Sequence, residues 1–187
     1  VVLLEKINKL SDIEDKIAEL TLMMLDLDPN AEENQGKVRI AWPTSGAPGW
    51  SIDEDICFLR ITPVDSPSAR QQDVIYTAKE NSDELLTKEI AYTRVHNVDW
   101  CFYGPNAYDL ADVIRFKILS DTTIKKEFNN INLHLITDVT MPIRVPELFQ
   151  GRWWNRVDFQ AKYNELVVRS VEEKAMVIGN LHYIIDR

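Results

Sequence analysis

The sequence predicts an α+β fold: an antiparallel sheet with a long β-hairpin, flanked by an N-terminal helix and by a helix that starts after Asn106. Three observations carry this. An apolar stripe recurs at helical spacing from Ile13 to Leu27, an unbroken β-rich run extends from Leu85 to Tyr103 and stops at Gly104-Pro105, and polar and apolar residues alternate from Arg156 onward.

At the N-terminus, Ser11-Asp12-Ile13-Glu14 reads as a capping box, Ser11 accepting from a first-turn amide and Glu14 reaching back to the cap. Ile13, Ile17, Leu20, Met24 and Leu27 follow on one helical stripe, and Asp28-Pro29-Asn30 ends it, giving a helix over about 11–27. Leu3, Leu4, Ile7 and Leu10 continue the pattern backwards. Residues 29–54 carry Pro29, Gly36, Pro43, Gly46, Pro48 and Gly49 and read as loop, interrupted by a short strand at Val38-Arg39-Ile40-Ala41-Trp42.

Ile56 to Ile61 has the β-branched and aromatic content of a buried strand, with Pro63 expected to end it. The stretch 63–73 is expected as a second exposed link. Val74-Ile75-Tyr76-Thr77, a polar turn and the run from Leu85 to Tyr103 then form the hairpin. Along that run Ile90, Tyr92, Arg94, His96, Val98, Trp100 and Phe102 share one face. Ala91, Thr93, Val95, Asn97, Asp99, Cys101 and Tyr103 share the other. Neither face is cleanly polar, so both are expected to be covered over part of the strand.

Asn106 is positioned as an N-cap and Asp109 sits in the first turn, where a carboxylate favours the positive end of the helix. Ala107, Leu110, Ala111, Ile114 and Ile118 make the stripe that packs back on the sheet. Ile131 to Ile136 reads as a strand, and Met141 to Leu148 as proline-broken extended chain. The alternation of Arg156, Asp158, Gln160, Lys162 and Asn164 with Val157, Phe159, Ala161 and Tyr163 gives a strand with one wet face. A C-terminal arm over about 172–187 ends in Leu181-His182-Tyr183-Ile184-Ile185, a last strand or a segment that pairs with another subunit.

With 187 residues the chain is expected as one domain spanning 1–187, large enough for a core without disulfides or metals. The net charge of −9 argues against a surface that grips nucleic acid by neutralising phosphates. Cys57 and Cys101 have no C-x-x-C spacing, which fits a reducing, cytoplasm-like milieu. No window approaches the length of apolar sequence that crosses a membrane, and the N-terminal apolar run is short for a secretion signal.

Chemistry-bearing motifs are sparse. His96, Asp99 and Cys101 lie close in sequence, but on a strand His96 points away from the other two, against a shared metal or a thiol nucleophile. Asp158 with Glu172-Glu173-Lys174 only loosely imitates a nuclease carboxylate set. Neither phosphate-loop nor G-x-S-x-G spacing occurs. No catalytic, cofactor-binding or metal-binding residue is assigned, and an α+β enzyme using His96 and Asp99 is the less favoured alternative. Trp153-Trp154, between Arg152 and Arg156, instead places two large rings on opposite faces of an extended segment, in the composition enriched at interface hot spots.

Two stretches carry a family resemblance. The first is Trp100 to Arg115, where a strand ending in Tyr103-Gly104 runs into a helix through Ala107 and Asp109. The second is Pro146 to Ala161, a proline-led segment with Trp153, Arg156 and Asp158 opening an alternating strand. Over about residues 89–175 the chain resembles the neck and tail terminator proteins of tailed bacteriophages. The resemblance implies a structural virion protein without enzymatic activity, assembled in the host cytoplasm, that forms a homo-oligomeric ring, usually a hexamer. Such a ring caps the tail tube, joins it to the head-completion and connector proteins, meets the sheath where the tail is contractile, and lets genomic DNA pass without specific binding; no membrane is involved. In such a ring, sheet faces and edges shared between neighbours are expected on the 85–103 strand, the 153–165 strand and the C-terminal arm. Trp153, Trp154, Arg152, Arg156, Tyr103 and Tyr108 are the candidate interface residues. The loops 43–54 and 63–73 would order on the tube or connector, and an acidic lumen would repel phosphate. Another tail, baseplate or head-completion component is the alternative within the virion.

Overall fold

A computed structural model describes residues 7–41, 49–78 and 85–174. Helix α1 spans Leu10–Met24, and its buried Ile13, Ile17, Leu20 and Met24 are the stripe read from the sequence. The capping box does not form. Lys9 is the N-cap and makes no side-chain cap bond, while Ser11, already inside the helix, bonds the Asp12 carboxylate. The helix also stops at Met24 rather than near Leu27, because Asp26 takes a left-handed φ of 57°.

Strands β1 (Val38–Ile40), β2 (Ile56–Val64), β3 (Asp73–Ala78) and β4 (Leu85–Tyr103) follow. β1 runs parallel to β2, whereas the other pairs in this sheet are antiparallel. Pro63 does not end β2; it sits inside it, opposite His96. β1 pairs only with Cys57 to Leu59, so among the described residues no strand lies on that edge of β2 at Pro63 and the missing N–H breaks no ladder. The link 63–73 is not wholly loop. It holds a short helix α2 (Pro67–Arg70), capped by the Ser66 side chain accepting from the Ser68 amide.

Helix α3 covers Ala107–Ser120 and buries Ala107, Ala111, Ile114 and Ile118. Asn106 occupies the N-cap position without capping; its backbone and side-chain N–H groups donate to the Asp55 carboxylate at 2.9 and 2.7 Å. A further helix, α4 (Thr122–Asn130), had no counterpart in the sequence reading. Asp121 caps it, accepting from the amides of Thr123 and Ile124.

Strand β5 is Leu133–Ile136, two residues shorter than expected. The proline-broken segment contains two more short strands, β6 (Ile143–Arg144) and β7 (Glu147–Phe149), and β7 pairs with β8 (Arg152–Trp154) in a two-residue hairpin. Gln150 and Gly151 both have positive φ, 49° and 74°, the signature of a type I′ turn. The last strand, β9, runs Arg156–Lys174 and extends well past residue 165.

The main sheet has the order β1-β2-β4-β9-β5, with β3 beside the far half of β4 and β6 beside the start of β9. Its spine is the antiparallel β4–β9 pair, in register from Leu85↔Lys174 to Tyr103↔Arg156. One face of the half near Tyr103 is the core floor, with Leu59, Val98, Trp100, Phe102, Val157, Phe159 and Tyr163 packed under α1, α3 and α4. Trp100 stacks on Phe159 across the register, and its buried Nε1–H donates to Thr21 Oγ at 2.9 Å. At the other end of the spine β3 is exposed along its whole length, including Val74, Ile75 and Tyr76. Residues 175–187, most of the expected C-terminal arm, and Trp42 to Pro48 of the first loop lie outside the described residues; Glu172 to Lys174 belong to β9. No helix among the described residues is long and apolar enough to cross a membrane.

Candidate functional site

Gly104 fixes the end of the spine where most of the candidate residues meet. Its φ of 118° turns the chain out of β4, and a Cβ there would lie 2.4 Å from Asp55 Oδ1 and 2.6 Å from the Glu54 carbonyl. Only glycine allows that approach. Asn155 locks the same corner from the other strand: its backbone carbonyl accepts from Gly104 N–H and its side chain donates to the Gly104 carbonyl at 2.8 Å.

On the sheet face opposite the core, alternation brings Phe58, Arg60, Asp99, Cys101, Tyr103, Arg156 and Asp158 side by side. An aromatic cluster forms over them. Trp50 lies 4.9 Å from Phe58, 5.6 Å from Tyr103 and 5.7 Å from Trp154, and Trp154 also meets Phe149 at 6.2 Å. A hollow of about 550 Å³ opens beside this cluster, lined in part by Trp50, Phe58, Arg60, Asp99, Tyr103 and Arg156. Inside the cluster the indole N–H groups of Trp50 and Trp154 are sealed from solvent and have no acceptor among the described residues.

Charges tie the hairpin to the spine. Arg156 donates to both oxygens of Asp158, at 2.8 and 2.9 Å, and to Glu147 of β7 at 3.4 Å. The Tyr103 hydroxyl donates to the same Glu147 carboxylate at 2.7 Å. The bond to Asp158 raises the pKa of Arg156 above its ordinary value, so the guanidinium stays charged. Burial first, then the Asp158 carboxylate, pushes the Cys101 thiol up to about 12, which removes its nucleophilic form at neutral pH.

The structure therefore brings Tyr103, Trp154 and Arg156 together, but not all six candidates. Trp153 and Trp154 do point to opposite sides: Trp153 is 66% exposed, while Trp154 is half-buried in the aromatic cluster rather than in the main core. Arg152 is exposed on β8. Tyr108 stands apart on α3, 40% exposed, and joins none of the ring contacts. Trp50, Phe58 and Glu147 complete the cluster and were not read from the sequence. Trp50 lies in a Pro- and Gly-rich stretch where no periodicity marks a packed ring, whereas Glu147, directly before Leu148-Phe149 and nine residues from Arg156, was a findable signal.

His96, Asp99 and Cys101 do not converge, and neither do Asp158 and Glu172 to Lys174. His96 faces away from Asp99 and Cys101 and bonds Glu165 on the neighbouring strand. Asp158 lies at the start of β9, and Glu172 to Lys174 lie at its far end. Among the described residues no group of three His, Cys, Asp or Glu side chains is placed to hold a metal ion. What the site offers is a ring-lined surface with arginines at its margin, the side chains enriched at protein interfaces. A family model described as phage neck terminator protein matches residues 11–185. No curated protein matches the chain.

Proposed function

The chain belongs to the phage neck terminator protein family, and we propose that it acts there as a ring-forming subunit that caps the tail tube and joins it to the head-completion and connector proteins. Family membership gives it a structural place in the virion neck. The ring, its copy number of about six, the absence of catalysis and the identity of its neighbours are our reading.

One observation carries it. Exposed apolar side chains gather at both ends of the same two 19-residue strands, β4 and β9. At one end stand Ile143, Leu148, Phe149 and Trp153; at the other, Val74, Ile75, Tyr76 and Val171. Strands of that length hold the two ends about 60 Å apart. Surfaces that differ and lie far apart suit a subunit that meets a neighbouring copy at one end and an axial partner at the other, and contacts between copies close into a ring when their rotation completes a turn. The two unpaired indole N–H groups support a docking role for the aromatic end. Each sealed donor without an acceptor costs about 1–3 kcal/mol, which a rearrangement on binding would recover.

In this reading each subunit is a single domain, and the ribbon of β3 with the far halves of β4 and β9 meets the axial partner, tube or connector. The sheath joins where the tail is contractile. Genomic DNA passes through the bore unbound, and Asp and Glu outnumber Lys and Arg along the lumen, consistent with the charge of −9. Assembly takes place in the host cytoplasm. Electron microscopy of phage particles produced without this chain tests the proposal. Overlong tubes and separated heads and tails are expected; joined virions with tails of normal length would overturn it.

A further inference from the structure

Two exposed surfaces have unspent binding capacity of opposite sign. The outer face of α3, turned away from its buried Ala107, Ala111, Ile114 and Ile118, presents Asp109, Asp112, Val113 and Phe116, and Phe116 is 65% exposed. The β6–β8 surface presents Ile143, Leu148, Phe149 and Trp153, all more than half exposed, with Arg144 and Arg152 among them. No described residue hydrogen-bonds or ion-pairs with the side chain of Asp109, Asp112, Arg144 or Arg152, so the two acids and the two arginines do not meet within one copy.

We propose that the outer face of α3 in one copy docks on the β6–β8 surface of a second copy of this chain, forming the repeating contact of the ring. This deepens the reading given under Proposed function and depends on it. The warrant is complementarity. Large apolar side chains are exposed on both surfaces, and burying them between copies removes them from water. Two unpaired carboxylates face two unpaired guanidiniums, and the arginines stand out on a chain of net charge −9. Such pairs set partner choice and orientation. A contact between two different patches repeats head-to-tail when it is not reciprocated within one pair, each copy then offering one of each.

The test is charge reversal in the full-length chain, read by light scattering over a concentration series. All four positions are exposed, and circular dichroism checks that each variant keeps its fold. D109K/D112K and R144E/R152E are each expected to weaken self-association by about tenfold or more. A chain carrying all four changes is expected to recover it, and an equimolar mixture of the two double variants is expected to assemble where neither does alone. Assembly of either double variant at wild-type concentrations overturns the proposal, and so does failure of the fourfold variant to recover. Wild-type protein that stays monomeric at every concentration, alone and with tail tubes, also overturns it. Failure of the neck reading is separate, since it is read from tail length and head joining in particles lacking the chain.

Discussion

Glu165 accepts a hydrogen bond from His96 Nε2–H at 2.7 Å across the β4–β9 pair, with both side chains sealed from solvent. The same carboxylate accepts from Arg94 at 2.8 Å and from the Asn8 backbone N–H at 3.3 Å. Arg94 in turn donates to the Asn8 carbonyl, and Asn8 Nδ2 to the Ile131 carbonyl. One buried carboxylate thus ties the segment before α1 and both long strands together. Replacing it with alanine leaves Arg94 and His96 uncompensated and is expected to cost about 3–5 kcal/mol, measured by urea unfolding.

The same group sets an acid response. Burial alone would raise the Glu165 pKa, but the hydrogen bonds from His96 and Arg94 outweigh it and hold the carboxyl at about 2. A depressed folded-state pKa contributes stability that is fully present above the unfolded value near 4.5 and is lost as pH falls toward 2. Stability should fall by about 3 kcal/mol across that window. In Glu165→Gln the fall should be shallower, and an unchanged acid limb would show that other carboxylates govern it.

Thr21→Val keeps the shape of a buried side chain but removes the acceptor for the Trp100 indole. Thr21 Oγ accepts from Trp100 Nε1–H and donates to the Ile17 carbonyl at 2.7 Å. The unsatisfied indole is expected to cost about 1–3 kcal/mol in urea unfolding. A neutral result would mean that the hydrogen bond contributes nothing net.

Gly104 and Gly151 both have positive φ but predict different losses. At Gly104 an added Cβ collides with the Asp55 and Glu54 backbone, so Gly104→Ala should cost about 3 kcal/mol or more. At Gly151 nothing lies within 4 Å of the added atom, so Gly151→Ala should cost about 1 kcal/mol, from backbone strain alone. Thermal unfolding of the two variants compares them directly.

The adjacent tryptophans separate folding from assembly. Trp153 is 66% exposed, so Trp153→Ala should change monomer stability by less than about 0.5 kcal/mol while reducing self-association. Trp154 packs on Trp50 and Phe149, so Trp154→Ala should destabilise the monomer by about 2 kcal/mol. Equal loss of monomer stability in both would count against an interface role for Trp153.

The sequence made the long elements readable because their signals repeat. From Leu85 to Tyr103 no breaker interrupts the strand, Gly104-Pro105 ends it, and β9 alternates cleanly through Tyr163. α4 escaped because nine residues with only Ile124 and Phe128 buried cannot display a period, although Asp121 was a cap signal. The β7–β8 hairpin was hidden by Pro146, which reads as a break but stands just ahead of the strand. Trp50, Phe58 and Trp154 are far apart in sequence, and only the folded sheet joins them. Glu165 occupies an apolar position between Tyr163 and Val167, and its partners His96 and Arg94 lie 69 and 71 residues away, so its burial could not be inferred locally.

In the proposed function, copies of this chain close into a ring. The most direct test is the mass of the purified protein by light scattering, with negative-stain images of the same sample. A closed species near six times the chain mass is expected, with an open centre wide enough for duplex DNA. Filaments that lengthen without limit, or a monomer both alone and in the presence of tail tubes, would contradict it.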